Sequence, residues 1–161
     1  MNNRIGHGFD VHAFCPGNAI ILGGVKIPFN KALQAHSDGD VLIHALCDAI
    51  LGAMGLGDIG HHFPDDEALN LNRNSREFLR IVYQLARKMD YQLNNADITI
   101  IAQEPKMKSY LSDMKAILSK DMAIDLSQIN IKATTTEKLG YIGQEQGIAV
   151  HAVVLFERVV K

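Results

Sequence analysis

Cysteine is scarce: Cys15 and Cys47 are the only two in 161 residues, and their separation matches no Cys-x-x-Cys spacing. That argues against a disulfide framework and leaves buried, reduced thiols as the expectation. Charge of one sign is equally lacking, with 16 Lys+Arg against 18 Asp+Glu and a formal net charge of -2. Without a basic footprint the chain has no general means of holding nucleic acid or an acidic membrane, so an anionic ligand must be gripped locally. No apolar stretch is long enough to span a bilayer; the run from Ile148 to Phe156 is short and interrupted by His151. Met1-Asn2-Asn3-Arg4 leads into the first strand without an apolar signal core, and a soluble, cytoplasmic protein is expected. Repeats, low-complexity tracts and linkers are missing too. What remains, 47% hydrophobic and 21% charged over residues 1–161, suits one globular domain with one core.

Strands and helices alternate along the chain. Arg4 to Phe14 reads as a strand and Cys15 to Asn18 as a turn. Ile20-Ile21-Leu22 and Val25-Lys26-Ile27 form a hairpin about Gly23-Gly24, ended by Pro28. Ser37 or Asp38 caps a helix that runs through the apolar stretch after Asp40 and is ended by Gly55. Residues 56–67 show little periodicity and fit a binding loop, in which the adjacent His61 and His62 read as solvent-facing residues, with a second metal site as the alternative. A second helix, capped by Asn74 or Ser75, carries Phe78, Leu79, Val82, Leu85 and Ala86 as one apolar stripe. The β-branched run Asp97 to Ala102 is a central strand. A third helix passes through Tyr110, Leu111, Met114, Ile117 and Leu118, Ile129 to Ala133 is a further strand, and Ile148 to Val159 closes the sheet.

Chemistry gathers around Asp10-Val11-His12. On an extended strand alternate side chains share a face, so Asp10 and His12 point the same way, about 7 Å apart along the backbone, with Val11 turned to the core. A carboxylate and an imidazole so spaced suit two ligands of one zinc ion, whose catalytic sites take three protein ligands and keep a fourth position open. A strand with a merely polar face gives the same pattern. His44 is the candidate third ligand, with Asp40 and Asp48 one turn to either side; the alternative is a core histidine among Leu42, Ile43, Ala45 and Leu46. His36 and Ser37 stand at that helix's N-terminus, where free N–H groups and the macrodipole favour a phosphate oxygen, unless Asp38 is simply a cap. Asp58 and Asp65 are suited to accept hydroxyl protons from a sugar. Lys106 and Lys108 follow a strand at a helix N-terminus, where nucleotides bind in α/β proteins, although solvated lysines look the same. Thr134-Thr135-Thr136-Glu137 offers hydroxyls to phosphates and a carboxylate to magnesium, or else a capping box.

Taken together, these stretches resemble the 2-C-methyl-D-erythritol 2,4-cyclodiphosphate synthase family of the non-mevalonate isoprenoid pathway. The likeness runs through Gly6 to His12, Ala35 to Asp40 with His44, Gly57 to Gly60, Phe63-Pro64-Asp65, Ala102 to Met107 and Ala133 to Gly140, in the family's order. It implies a compact α/β (α+β) subunit with a mixed β-sheet and helices on one face, assembled as a homotrimer with active sites shared between subunits. It implies Zn2+, or another divalent transition metal, at Asp10, His12 and His44, and Mg2+ or Mn2+ held through Glu137 with the substrate phosphates. His36, Ser37 and Thr135 would stabilise the reacting phosphates. Asp58, Ile59 and Gly60 with Phe63, Pro64 and Asp65 would line the sugar pocket. Ala102, Gln103, Glu104, Pro105, Lys106, Met107 and Lys108, with Ala133, Thr134 and Thr136, would receive the cytidine diphosphate half, and Tyr141 and Gln144 complete the implied contacts.

In that family's reaction the substrate's 2-phosphate attacks its own β-phosphate and expels CMP. A phosphate nucleophile is already anionic, so no activated serine or cysteine is needed, and no such pattern stands out. Two mutually repelling anions must instead be aligned and their charge offset. Two positions depart from the family, which usually has an arginine at 144 and a glutamate at 146, where this chain has Gln144 and Gln146. Losing an arginine removes a charge-assisted phosphate contact, so the cavity along the trimer axis is expected to bind isoprenoid diphosphates weakly. Two other readings stand beside the synthase: a zinc phosphohydrolase, whose open position activates water, and a trimeric binding module whose structural metal takes Cys15 or His7 as a fourth ligand.

Overall fold

The structure, a computed structural model, describes residues 2–35, 37–64 and 73–159. In chain order its elements are β1 (Asn3–Pro16), β2 (Ala19–Leu22), β3 (Val25–Pro28), β4 (Lys31–Leu33), α1 (Val41–Met54), α2 (Ile59–His62), α3 (Ser75–Lys88), β5 (Tyr91–Ile101), α4 (Leu111–Met122), β6 (Ile129–Thr134), α5 (Gly140–Gly143) and β7 (Gly147–Arg158). Five strands make one mixed sheet in the order β4-β1-β7-β5-β6, in which only β5 and β6 run parallel. The last strand therefore lies at the centre of the sheet rather than closing its edge. It pairs with β1 from Asn3–Glu157 to Ala13–Gly147 and with β5 on its other side. The hairpin β2-β3 forms its own two-stranded sheet, turned by Gly23 and Gly24 with φ of 57° and 76°, as a two-residue primed turn requires.

Helix α1 packs directly on β1 and β7, and α3 packs on α1. Residues 41–54 are buried almost all round, which is why they carry so little polar sequence; only His44, Asp48 and Gly52 break the pattern, each one turn after the last. The close approach depends on Gly6 and Gly8, where a Cβ would come within 1.8 Å of the Ala49 carbonyl oxygen and 1.9 Å of the Ala45 carbonyl oxygen. Because α1 covers the face that Gly6 and Gly8 share with Asp10 and His12, Val11 turns outward and is 40% exposed, not directed to the core as expected.

The N-cap of α1 is Asp40, not Ser37 or Asp38. Its fully buried carboxylate accepts N–H bonds from Ile43 at 3.0 Å, Gly23 at 2.9 Å and Gly24 at 2.7 Å, tying the helix start to the hairpin. Asp40 thus knots the fold together and does not share a working face with His44. Gly55 ends the helix with φ of 70°, as expected. Asn74 caps α3, whose Phe78, Leu79, Val82 and Ala86 are buried, with Leu85 packed at the margin. Cys15 and Pro16 continue β1 because β4 pairs there, so Cys15 is half-buried while Cys47 is fully buried. The capping box that is the alternative reading of Thr134 to Glu137 does not form, Thr134 Oγ1 donating to the Thr135 carbonyl oxygen at 3.3 Å; one forms between Asp125 and Gln128. None of the helices is long and apolar enough, among the described residues, to cross a membrane.

Candidate active site

Asp10, His12 and His44 converge, with one ligand atom from each within 4.8 Å of the others, and they are the only such group among the described residues. Asp10 Oδ2 lies 3.0 Å from His12 Nε2 and 3.3 Å from His44 Nδ1. Each ring is held from behind: His12 Nδ1 lies 3.1 Å from the Gly39 carbonyl oxygen, and His44 Nε2 lies 2.9 Å from Ser75 Oγ and 3.2 Å from Ser37 Oγ. Burial alone would raise the Asp10 carboxyl, yet hydrogen bonds and charge from both imidazoles hold it well below the usual carboxylate range. Burial likewise opposes protonation of His12, but Asp10 outweighs it and raises the imidazole pKa.

One carboxylate oxygen and two imidazole nitrogens aimed at a common point, their remaining ring nitrogens already hydrogen-bonded, suit a divalent transition metal with a position left open. Among the described residues no fourth ligand joins them, as a structural metal would require. His7 points from the opposite face of β1, its Nε2 3.0 Å from His151 Nδ1, and Cys15 lies beside Lys31 and Glu145 in a separate groove.

The centre opens into a cleft of about 330 Å³ whose walls include Ser37, Asp48, Ile59, Gly60, Phe63 and Phe78. Asp48 accepts the Ile59 N–H at 2.7 Å and so pins α2 to α1; burial raises its pKa, with the Asp10 and Asp58 charges adding to the effect. Phe78, part of the apolar stripe read from sequence, packs tilted against Phe63 with centroids 4.4 Å apart and forms the apolar wall. Asp58 caps α2 through the His61 N–H at 2.9 Å and is exposed; neither it nor half-buried Pro64 is part of the cleft lining. His36 and Asp65 lie outside the described residues. Asp38 and Ser75, read from sequence as caps, support the site; nothing in local pattern marks them, since the reason for both is the ring of His44.

The other expected contacts form a second cluster. None of residues 102–108 or 133–137 lines the cleft at Asp10. Asp10, Val150, Ile100 and Ala133 sit in one row across β1, β7, β5 and β6, so Ala133 is three strand spacings, about 14 Å, from Asp10. Here Gln103 Oε1 accepts the Lys138 N–H at 3.1 Å, and Glu137 and Lys138 both adopt left-handed backbone, with φ of 52° and 65°. Thr135 Oγ1 accepts the Glu137 N–H at 3.1 Å, leaving the Glu137 carboxylate exposed. Lys106 folds back onto Glu104 at 3.2 Å, Lys108 is exposed, and Ala102 and Met107 are buried in the core, so their side chains are not free to touch a ligand. Thr136 and Tyr141 line an apolar groove with Phe9 and His151, and exposed Gln144 accepts from Gln146 Nε2 at 3.2 Å.

A mixed-sheet α+β protein with an open Asp-His-His centre beside a half-apolar cleft is, as a class, a small metal-dependent enzyme. A family model described as the YgbB family matches residues 3–157. A 2-C-methyl-D-erythritol 2,4-cyclodiphosphate synthase of Thioalkalivibrio sulfidiphilus (strain HL-EbGR7) is 56% identical over 156 residues, covering 97% of this chain and 98% of the relative. Among solved structures, the Plasmodium falciparum IspF CDP complex superposes with a TM-score of 0.88 at 39% identity, covering 99% of both chains. The bifunctional IspDF of Campylobacter jejuni gives a TM-score of 0.94 at 45% identity over 98% of this chain, which spans 42% of that longer one. The chain belongs to the YgbB family, the 2-C-methyl-D-erythritol 2,4-cyclodiphosphate synthases.

Proposed function

We propose that residues 1–161 form one synthase domain that converts 4-diphosphocytidyl-2-C-methyl-D-erythritol 2-phosphate to 2-C-methyl-D-erythritol 2,4-cyclodiphosphate and CMP. The observation that carries this reading is the open Asp10-His12-His44 centre at the head of a cleft with an apolar and an acidic wall. In the reaction a 2-phosphate oxygen forms a bond to the β-phosphorus, the bond from that phosphorus to the bridging oxygen breaks, and CMP leaves. Asp10, His12 and His44 hold a divalent ion, zinc in the first instance, and Glu137 holds Mg2+ or Mn2+. These ions, when bound, offset negative charge on the phosphoryl group in transit and on the leaving group.

The rest is positioning. Ser37 beside the centre, with His36 and Thr135, donates to the reacting phosphates. Ile59, Gly60 and Phe63, with Asp58, Pro64 and Asp65, enclose the methylerythritol, whose methyl group suits the Phe63-Phe78 wall. Residues 102–108 and 133–137, with Tyr141 and Gln144, receive the cytidine diphosphate half, a reading supported by the neighbour solved as a CDP complex.

The separation of the two clusters supports a homotrimer with its active sites between subunits. The metal cleft and the 102–108 and 133–137 segments do not share a cavity within one chain, so a site at a subunit boundary brings one copy's cleft to another's nucleotide segments. The uncovered sheet face supplies an apolar contact surface in Ile5, Phe9, Val11 and Val153, all exposed. Free Cys15 and Cys47 fit a reducing, cytoplasmic setting.

Incubating the protein with the substrate, with and without a chelator, tests the reaction. CMP should appear with no inorganic phosphate and should stop when the metal is removed; inorganic phosphate as product would establish a phosphohydrolase instead.

A further inference from the structure

We propose that Ser75 and Asp38 act as a positioning relay that decides which nitrogen of His44 carries its proton, and through it how tightly the Asp10-His12-His44 centre takes a metal. This rests on the metal reading given above. Ser75, the first residue of α3, is fully buried, and its hydroxyl lies 2.9 Å from His44 Nε2 while donating to Asp38 Oδ1 in a very close contact. The other Asp38 oxygen accepts the Ser75 backbone N–H at 3.0 Å, so the carboxylate is clamped on the helix start.

A hydroxyl has one proton to give. Ser75 gives it to Asp38, so toward the imidazole it can only accept, and this favours the His44 proton on Nε2, where Ser37 Oγ at 3.2 Å can accept as well, over Nδ1, where Asp10 Oδ2 is the competing acceptor in the metal-free protein. Nδ1 then turns its lone pair to the point that Asp10 Oδ2 faces from 3.3 Å. His12 is fixed in the opposite sense: its Nδ1 meets the Gly39 carbonyl oxygen, which can only accept, leaving Nε2 toward Asp10. The two rings thus present different nitrogens to one centre. The acceptor behind His12 is unconditional, whereas of the two hydroxyls behind His44 the nearer, Ser75, is held as an acceptor by Asp38.

Two substitutions separate the parts of the relay. Ser75→Ala removes the acceptor. Asp38→Asn reverses the chain: its amide oxygen takes the Ser75 backbone N–H, its amide N–H donates to Ser75 Oγ, and the freed hydroxyl proton turns to His44 Nε2, favouring the Nδ1–H tautomer. Nitrogen-15 NMR of the metal-free protein at mildly alkaline pH, with His44→Gln used for assignment, reads the tautomer directly. The expected result is Nε2–H in the unaltered protein, a mixture in Ser75→Ala and mainly Nδ1–H in Asp38→Asn. Calorimetric titration with Zn2+ should show affinity about 10–100-fold weaker in both variants, the usual effect of losing a ligand's outer partner. Nδ1–H in the unaltered protein, or unchanged zinc affinity in both folded variants, overturns the relay. Failure of the unaltered protein to bind zinc overturns the metal reading instead, and the tautomer measurement judges the relay independently of it.

Discussion

The Asp10 carboxylate and the His44 imidazole come from a strand and a helix, and their Oδ2 and Nδ1 atoms lie 3.3 Å apart because Gly6 and Gly8 let the two backbones touch. Gly8→Ala would drive a Cβ into the Ala45 carbonyl, with 1.9 Å between them, and Ala45 is the residue after His44. Displacing α1 should cost upwards of the roughly 1–3 kcal/mol of ordinary overpacking and should part the metal ligands. Urea unfolding and a zinc titration check this; a loss below about 1 kcal/mol with intact zinc binding would show that α1 can yield.

His44→Ala should leave a folded protein, because the ring lines a cleft and is not part of the buried cluster. Removing one of three ligands should weaken zinc binding beyond the roughly 10–100-fold effect of an outer partner and bring turnover down with it. Near-normal CMP release would refute the assignment of the third ligand.

How much of this was legible beforehand differs by element. The α1 helix, the Gly23-Gly24 hairpin and the Asp10/His12/His44 triad could all be read from local pattern, because spacing and turn chemistry are properties of short stretches. The sheet order could not, since β7 reaches the centre only through pairings with β1 and β5 from opposite ends of the chain. Val11 faces away from the core for a related reason: alternation fixes which residues share a face but not which face a helix covers, and Gly6 and Gly8 decide that. Asp40 reads as a neighbour of His44 on a helical wheel, yet as N-cap it turns to Gly23 and Gly24, a contact formed only once the hairpin docks.

The outer sheet face yields a prediction about assembly. Val153 is 44% exposed beside Phe9, Val11 and Ile5. Val153→Glu should place a charge in the proposed contact and release monomers, detected by analytical ultracentrifugation. Those monomers should still bind one zinc ion per chain at Asp10, His12 and His44, yet make no CMP. A fully active monomer would refute a site shared between subunits.

Acid stability should depend on Asp121. Its side chain, 4% exposed, accepts from Arg76 Nε at 2.6 Å and Arg80 Nη1 at 2.9 Å. Burial would raise its pKa, but the two guanidinium groups prevail and hold it below the ordinary value of 3.8. A carboxyl whose folded-state pKa is lowered contributes stability that is complete above the unfolded value and lost as pH falls through the folded one. Asp121→Asn should therefore cost about 1–2 kcal/mol near neutrality, allowing for the solvent around both arginines. The gap to the unaltered protein should narrow below about pH 4 and close in stronger acid. Denaturant midpoints across that range check it; a gap that widened in acid would reverse the sign.

Gln144 and Gln146 stand where the family usually carries an arginine and a glutamate, and here the two amides hydrogen-bond to each other at 3.2 Å. An amide offers a phosphate one neutral donor group, whereas a guanidinium offers charge and a fork of donors, so the anion loses its charge-assisted contact. An isoprenoid diphosphate presented to the assembled protein should therefore bind weakly, with Gln144→Arg strengthening it by about tenfold, the worth of one charged hydrogen bond near 1.5 kcal/mol. Metal binding, which involves neither glutamine, should not change. Calorimetry on both proteins decides the matter: tight binding by the unaltered chain, or no gain on adding the arginine, would mean that position 144 does not face the diphosphate.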